Sequence, residues 1–152
     1  MGIVARLFGL KDGRRELVAD LTDAWRAEAE HAAHLRLQMA HAKYPQVTET
    51  LERLAATEER HAAAIRDRLL ALGGEVPPLA PRALRGKNQW ERVVAAHHEA
   101  QAKRKRLLDM IAHWDPEEPE AVAVLAQVEQ DDTADLEVYE GLVMRSDPQA
   151  LD

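Results

Sequence analysis

Six ionisable side chains fall on stripes of the sequence that are otherwise apolar at helical spacing: Glu28, Glu58, His61, His97, Asp132 and Asp135. Glu58 and His61 stand three residues apart, a spacing that turns both to one face of a helix. Four carboxylates and two imidazoles make a set of oxygen and nitrogen donors. Burying them without partners costs several kcal/mol per ion. A pair of divalent metal ions bound by carboxylate and imidazole would supply the missing positive charge.

Four long helices are needed to hold these residues. The first is expected from about Gly13 to Lys43, with Asp12 as its N-cap and Pro45 closing it. The second runs from about Gln46 to Leu72 and stops at Gly73-Gly74. Asn88-x-x-Glu91 resembles a capping box and opens the third, which reaches Trp114. Asp115-Pro116 is expected to cap and start the fourth, which ends near Arg145 before Asp147-Pro148. No stretch alternates with period two, so no strands are expected.

At 100° per residue, each helix has one apolar stripe with an ionisable group in it. Leu17, Leu21, Trp25, Ala32, Leu35 and Met39 enclose Glu28, while Val47, Leu51, Leu54, Ile65, Leu69 and Leu72 enclose Glu58 and His61. On the third helix, Trp90, Val93, Val94, Leu107, Leu108 and Ile111 share a face with His97 and Arg104. On the fourth, Val122, Leu125, Val128, Tyr139 and Leu142 share a face with Asp132, and Asp135 lies at its edge. Measured from the nearer inter-helix turn, all six candidates are roughly 20 to 28 Å along the axis, so they form one layer.

The connections fix the topology. Helices one and two, and likewise three and four, are joined by only a few residues, so each pair is antiparallel. The stretch from Gly74 to Lys87 contains Val76-Pro77-Pro78-Leu79-Ala80-Pro81. Extended at roughly 3.1 Å per residue, it reaches about 43 Å. The second helix is roughly 40 Å long. The linker therefore spans the bundle, and helices two and three are expected to be parallel. The expected fold is an all-α four-helix bundle of two antiparallel hairpins joined by a long crossover, over residues 13–146, with a short amphipathic segment at 1–12 and a tail at 147–152.

Bulk properties exclude several other classes. A chain of 152 residues is one ordinary domain, cysteine is absent, and the net charge is -7. The acidic balance argues against nucleic acid as a partner. No apolar run approaches the roughly 20 residues of a membrane span. The opening MGIVARLFGLKDGRR lacks the features of a secretory signal, so a cytoplasmic location is expected.

Leu54-Ala55-Ala56-Thr57-Glu58-Glu59-Arg60-His61-Ala62, followed by Leu69 to Gly74, resembles the second helix of rubrerythrin-like and other ferritin-like di-iron proteins. The family carries a Glu on the first helix, Glu-x-x-His on the second, and the same set again on the third and fourth. Glu28 matches the first position, and Glu58 with His61 the second. The second half departs from the pattern: His97 stands where the family has Glu, and Asp132-x-x-Asp135 where it has Glu-x-x-His. Glu99 is the nearest carboxylate on the third helix but points about 120° off its stripe. The resemblance implies a ferritin-like metal protein holding iron as a di-iron pair, with manganese as the other candidate. It also implies oxidation of Fe(II) or reduction of peroxide or oxygen, and assembly into a homo-dimer or larger oligomer.

A second reading stays open beside it, a metal-free helical bundle acting as an interaction or scaffold protein. In that reading Arg104, on the same face, pairs with Asp132 or Asp135 and closes the polar layer without metal. His31 and His34 lie off the stripe, and His31 is expected to be partly exposed. The run Lys103-Arg104-Lys105-Arg106 is expected to be a solvated face around Arg104. Ile3, Val4, Leu7, Phe8 and Leu10, with Arg6 and Lys11, form an amphipathic segment that would pack on the bundle or a partner subunit; docking of residues 1–11 to a membrane surface or another protein is the sharper alternative.

Overall fold

The computed structural model describes the backbone of residues 3–147 and the side chains of residues 12–147. It has four helices, α1 (Ile3–His41), α2 (Pro45–Ala71), α3 (Gln89–Trp114) and α4 (Pro119–Ser146), and no strand among the described residues.

Most boundaries follow from local chemistry. Pro45 occupies the first turn of α2, where its missing N–H is no loss. At the far end Gly73 takes φ +84°, which lets Gly74 N–H donate to Leu69 O and Gly73 N–H to Leu70 O, closing the helix. Asn88 Oδ1 accepts from Glu91 N–H at 2.9 Å, and Glu91 Oε2 reaches back to Lys87 N–H at 2.7 Å. The capping box therefore closes one residue earlier than its usual form.

Two expected starts are corrected. Asp12 does not cap α1, because the helix runs unbroken through it from Ile3. A single Gly13 costs only about 1 kcal/mol in a helix interior, too little to stop a chain of good helix formers on both sides. The expected break between segments 1–12 and 13–146 is thus absent from the backbone, while the side chains of residues 1–11, which carry the docking expectation, lie outside the described residues. Asp115-Pro116 does not start α4 either. Asp115 is the C-cap of α3, Glu118 N–H donates to Trp114 O at 2.9 Å to close the turn, and Pro119 begins α4.

Helix directions are read from side-chain pairs. Asp20 meets Trp114, Glu28 meets Lys103, His34 meets Glu99 and Gln38 meets Arg92, so α1 ascends as α3 descends. His61 meets Asp131 and Arg68 meets Glu120, so α2 and α4 are antiparallel as well. Since α1 and α2 form an antiparallel hairpin, α2 and α3 run parallel, as the linker length required. The linker crosses the outside of α1. Leu79 lines a shallow groove together with Trp25, Ala29 and Ala32 of α1 and Ala62 of α2, and Arg82 bridges Glu30 of α1 and Glu99 of α3.

The core is two apolar clusters separated by a polar layer. One holds Leu17, Leu21, Trp25, Ile65, Leu69, Leu107, Trp114 and Leu125; the other holds Leu35, Leu51, Leu54, Val93, Ala96, Tyr139 and Leu142. Glu28, Glu58, His61, Lys103 and Asp132 lie between them, all buried.

Arg82 is the polar anchor of the crossover. Arg82→Ala is expected to lower unfolding free energy by roughly 1–3 kcal/mol, the cost of unpairing a charged hydrogen-bonded group. It should also speed proteolysis within residues 75–87. Denaturant melts and limited proteolysis of the two proteins check both effects.

Candidate metal centre

Each helix contributes to the polar layer. Glu28 comes from α1, Glu58 and His61 from α2, Lys103 from α3 and Asp132 from α4. Lys103 Nζ donates to Glu28 Oε2 at 2.6 Å, to Glu58 Oε2 at 2.5 Å and to Asp132 Oδ2 at 2.9 Å. All three ammonium protons therefore have carboxylate acceptors. Lys103 is only 2 % exposed and Glu28 0 %.

The remaining atoms of these groups face one another. Glu28 Oε1, Asp132 Oδ1 and His61 Nδ1 are buried and have no hydrogen-bond partner. His61 Nδ1 is 3.5 Å from Asp132 Oδ1 and 3.6 Å from Glu28 Oε2. Its other nitrogen, Nε2, lies 3.0 Å from Asp131 Oδ2. A proton on Nε2 donated to Asp131 leaves Nδ1 as a lone pair aimed inward, the usual arrangement for a metal-binding imidazole with a carboxylate behind it. One ligand atom from each of Glu28, Glu58, His61 and Asp132 falls within 4.8 Å of every other.

Charge explains why the group is poised. Glu28, Glu58 and Asp132 face the single positive charge of Lys103, so the layer is short of cations. In the metal-free protein, protons supply the difference. Burial raises Glu58 well above the usual carboxylate range, reinforced by the neighbouring Glu28. For His61, burial disfavours the charged ring, but the close carboxylates of Asp132, Glu28 and Asp131 outweigh it and push the imidazole up to about 10. Burial also works against the carboxylate of Glu28, yet Lys103 beside it prevails and holds it down to about 2. The same three carboxylates raise Lys103 above its ordinary value despite its burial.

The six sequence candidates divide. Glu28, Glu58, His61 and Asp132 converge. His97 and Asp135 do not join them. His97 is half-buried and stacks on Tyr139, with ring centroids 6.2 Å apart, and burial lowers its basicity. Asp135 is half-buried, with Oδ2 unpartnered, and burial together with Asp132 raises its pKa. Arg104 does not close the layer. It sits at the edge of the bundle on Glu129 at 3.0 Å and Thr133 at 2.7 Å, and its neighbour Lys103 takes the inner position.

That error has a physical source. The buried positions of α3 are Val93, Ala96, Ala100, Lys103, Leu107 and Trp114. They alternate by three and four, the spacing of a bundle seam. Ala96 and Ala100 carry this seam weakly, so the larger Val94 and Leu108 drew the expected stripe one position round. Trp90 and Leu108 are in fact 38 % and 40 % exposed.

His31, expected to be partly exposed, is fully buried, and so is His34. His31 Nε2 is 2.7 Å from Tyr139 Oη, and its Nδ1 is 3.6 Å from Glu99 Oε2. Gln38 Nε2 donates to Arg92 O at 2.8 Å and to His34 Nε2 at 3.2 Å, which leaves His34 Nδ1 to donate to Glu99 Oε2 at 2.9 Å. Glu99 also takes Arg82 at 3.0 Å. The sequence signal was available in the run Glu28, His31, His34, Gln38, polar groups at i+3 and i+4 steps along a second face of α1.

Two grooves reach the layer. Between α2 and α4, a groove of about 420 Å³ lined by Ala64, Val124, Val128 and Asp131 ends on His61. Between α1 and α3, one of about 350 Å³ lined by Asp23, Ala27, Glu99 and Arg106 ends on Lys103. No helix among the described residues is long and apolar enough to cross a membrane. No protein-family model matches the chain, and no curated protein matches it.

Glu99 gives a pH test of the flanking network. Burial alone would raise its carboxyl, but His31, His34 and Arg82 hold it below its ordinary value. A carboxyl that is a stronger acid in the folded state contributes stability in full above the unfolded value of 4.5, and loses it as pH falls below that. Glu99→Gln should cost roughly 1–3 kcal/mol at pH 7. The gap from the parent protein should narrow as pH is lowered through the carboxylate range, as read from urea melts at a series of pH values.

Proposed function

We propose that Glu28, Glu58, His61 and Asp132 hold one divalent transition-metal ion, with the Lys103 ammonium standing where a two-ion bundle would keep its second. The observation that carries this reading is the set of three buried, unpartnered ligand atoms, Glu28 Oε1, His61 Nδ1 and Asp132 Oδ1. Buried polar atoms without partners are rare in folded proteins and ask for an explanation, an ion among them. The donor chemistry fits: carboxylates with one imidazole suit iron or manganese. Three carboxylates against one ammonium leave two negative charges, which one dication balances.

The chain is then a ferritin-like, non-haem metal protein, as its resemblance to the rubrerythrin-like group implies. An iron or manganese ion supplies one-electron chemistry toward peroxide, dioxygen or incoming Fe(II). The chain's own residues do the positioning. Lys103 grips one oxygen each of Glu28 and Asp132 and leaves the other oxygen of each free. Asp131 orients the His61 ring from behind. The α2–α4 groove admits a small reactant to the His61 side, and the apolar clusters above and below exclude bulk water.

A second reading is favoured by the Lys103 hydrogen bonds themselves. A layer closed by Lys103 and by protonated groups needs no metal, and the bundle would then serve as an interaction scaffold.

Metal content separates the two. After exposure to Fe(II) or Mn(II) and removal of excess, elemental analysis should find about one ion per chain, and none after His61→Ala or Glu28→Gln. Metal at about a hundred times its dissociation constant should add about 2.7 kcal/mol of stability, and a chelator should remove it. Absence of stoichiometric metal, with melting indifferent to chelator, leaves the scaffold reading. Lys103→Glu replaces the internal cation by a further carboxylate; metal capacity should rise toward two ions per chain, and the metal-free variant should lose about 3–5 kcal/mol.

A further inference from the structure

The parallel run of α2 and α3 brings both of their N-termini to one end of the bundle. A cleft of about 320 Å³ opens there, between the α1–α2 turn, the start of α3 and the last turn of α4. We infer that this cleft binds a small phosphate monoester carrying a planar ring, a ligand of nucleoside monophosphate size.

The charge of the lining points to an anion. Lys43 from the α1–α2 turn, Lys87 and Arg92 from around the start of α3, and Arg145 from the end of α4 line the cleft, and no acidic residue lines it. The whole protein carries 27 acidic against 20 basic residues, so such a cluster is far from its average surface. Among the described residues, none of these four cations has an ion-pair partner. Bringing like charges together is unfavourable unless something of opposite sign sits between them. His41 also lines the cleft, with Nδ1 on Leu37 O at 2.9 Å.

The backbone adds to this. The N-cap of α2, Tyr44, offers no side-chain hydrogen bond, and the first turn of α2 carries no acidic residue. Pro45 has no N–H and Val47 and Thr48 donate theirs to Tyr44 O, so what this end offers an anion is the positive end of the helix dipole.

The polar atoms inside the cleft give an independent sign. Ser146, 7 % exposed, lines it, and its Oγ has no hydrogen-bond partner. Gln89 Nε2, also in the lining, is buried and unpartnered. A hydroxyl and an amide left without partners beside four cations form a built recess for an oxyanion. Arginine forks suit phosphate in particular, since they present paired donors to a dianion.

The ring is inferred from the rim. Tyr44 and Trp90 line the same cleft and are 49 % and 38 % exposed, while Trp25 and Trp114 are buried. Aromatic faces held open beside cations offer a stacking platform for a planar group. The volume is at the lower end of small-molecule sites.

The same contrast supplies the readout, because ligand at the cleft alters the emission of the exposed Trp90. The full chain is titrated with adenosine 5′-monophosphate, inorganic phosphate and adenosine, by fluorescence and by calorimetry. The monophosphate should bind saturably, phosphate more weakly, and adenosine not measurably. Arg92→Ala and Arg145→Ala should each weaken the monophosphate by about tenfold, as loss of a charge-assisted hydrogen bond does. Ser146→Ala should weaken it by a few fold without changing the thermal melt, and Arg106→Ala, in a different groove, should leave it unchanged. Failure of both phosphate-bearing probes to bind below about 10 mM overturns the proposal. So does binding that both arginine variants retain, or adenosine binding as tightly as the monophosphate. The metal reading stands or falls separately, since none of these residues touches the polar layer.

Discussion

A lysine ammonium enclosed by three carboxylates at mid-height of the bundle is the constraint on which the rest of the structure depends. Each helix brings one or two members of this layer, so the set is complete only when all four helices are in place. Burying an ion costs several kcal/mol, and the mutual attraction offsets that only when geometry and hydrogen bonding are close to complete. Here the three protons of Lys103 are all used, while one oxygen of Glu28, one of Asp132 and one nitrogen of His61 are not. The layer is therefore complete on the lysine side and open on the histidine side. That asymmetry makes an internal amine part of the layer and leaves its unpaired donor atoms together on one side.

The second polar network extends this order outward. Tyr139 reaches His31, His31 faces Glu99, and Glu99 takes Arg82 from the crossover. Gln38 ties His34 to the α3 backbone beside it. The extended linker, with no secondary structure of its own, is thereby attached to the helices at the level where the buried charges lie. Proline gives it reach, and one arginine gives it a fixed place.

Much of the architecture was legible in the sequence because it rests on punctuation. Pro45, Gly73-Gly74 and Asn88 mark helix ends by backbone chemistry alone, and the reach of a proline-rich linker predicts parallel α2 and α3 from lengths alone. Glu28, Glu58, His61 and Asp132 were legible because each interrupts a strong apolar stripe. Lys103 was not. Its seam on α3 is drawn by Ala96 and Ala100, whose small side chains weigh little beside Val94 and Leu108, and a lysine inside a basic run reads as solvated. His31 and His34 were hidden for a different reason: they line a second buried face of α1, covered by α3, and a search for one stripe per helix has no place for them. Asp12 and Asp115 show the limit of cap signals, since a neighbouring Pro or Gly tells where a helix can begin but not whether the preceding one has ended.

Glu28, Glu58 and His61 all belong to the first hairpin, whereas Lys103 and Asp132 belong to the second. Leucine and alanine stripes repeat every turn, so two such hairpins slid past one another by one turn, 5.4 Å, would still place hydrocarbon against hydrocarbon. The charged layer does not repeat. In the slid arrangement Lys103 would leave its carboxylates behind and enter an apolar cluster, with each broken buried pair costing about 3–5 kcal/mol. The layer thus works as an alignment key between the two halves, rejecting every vertical offset but one.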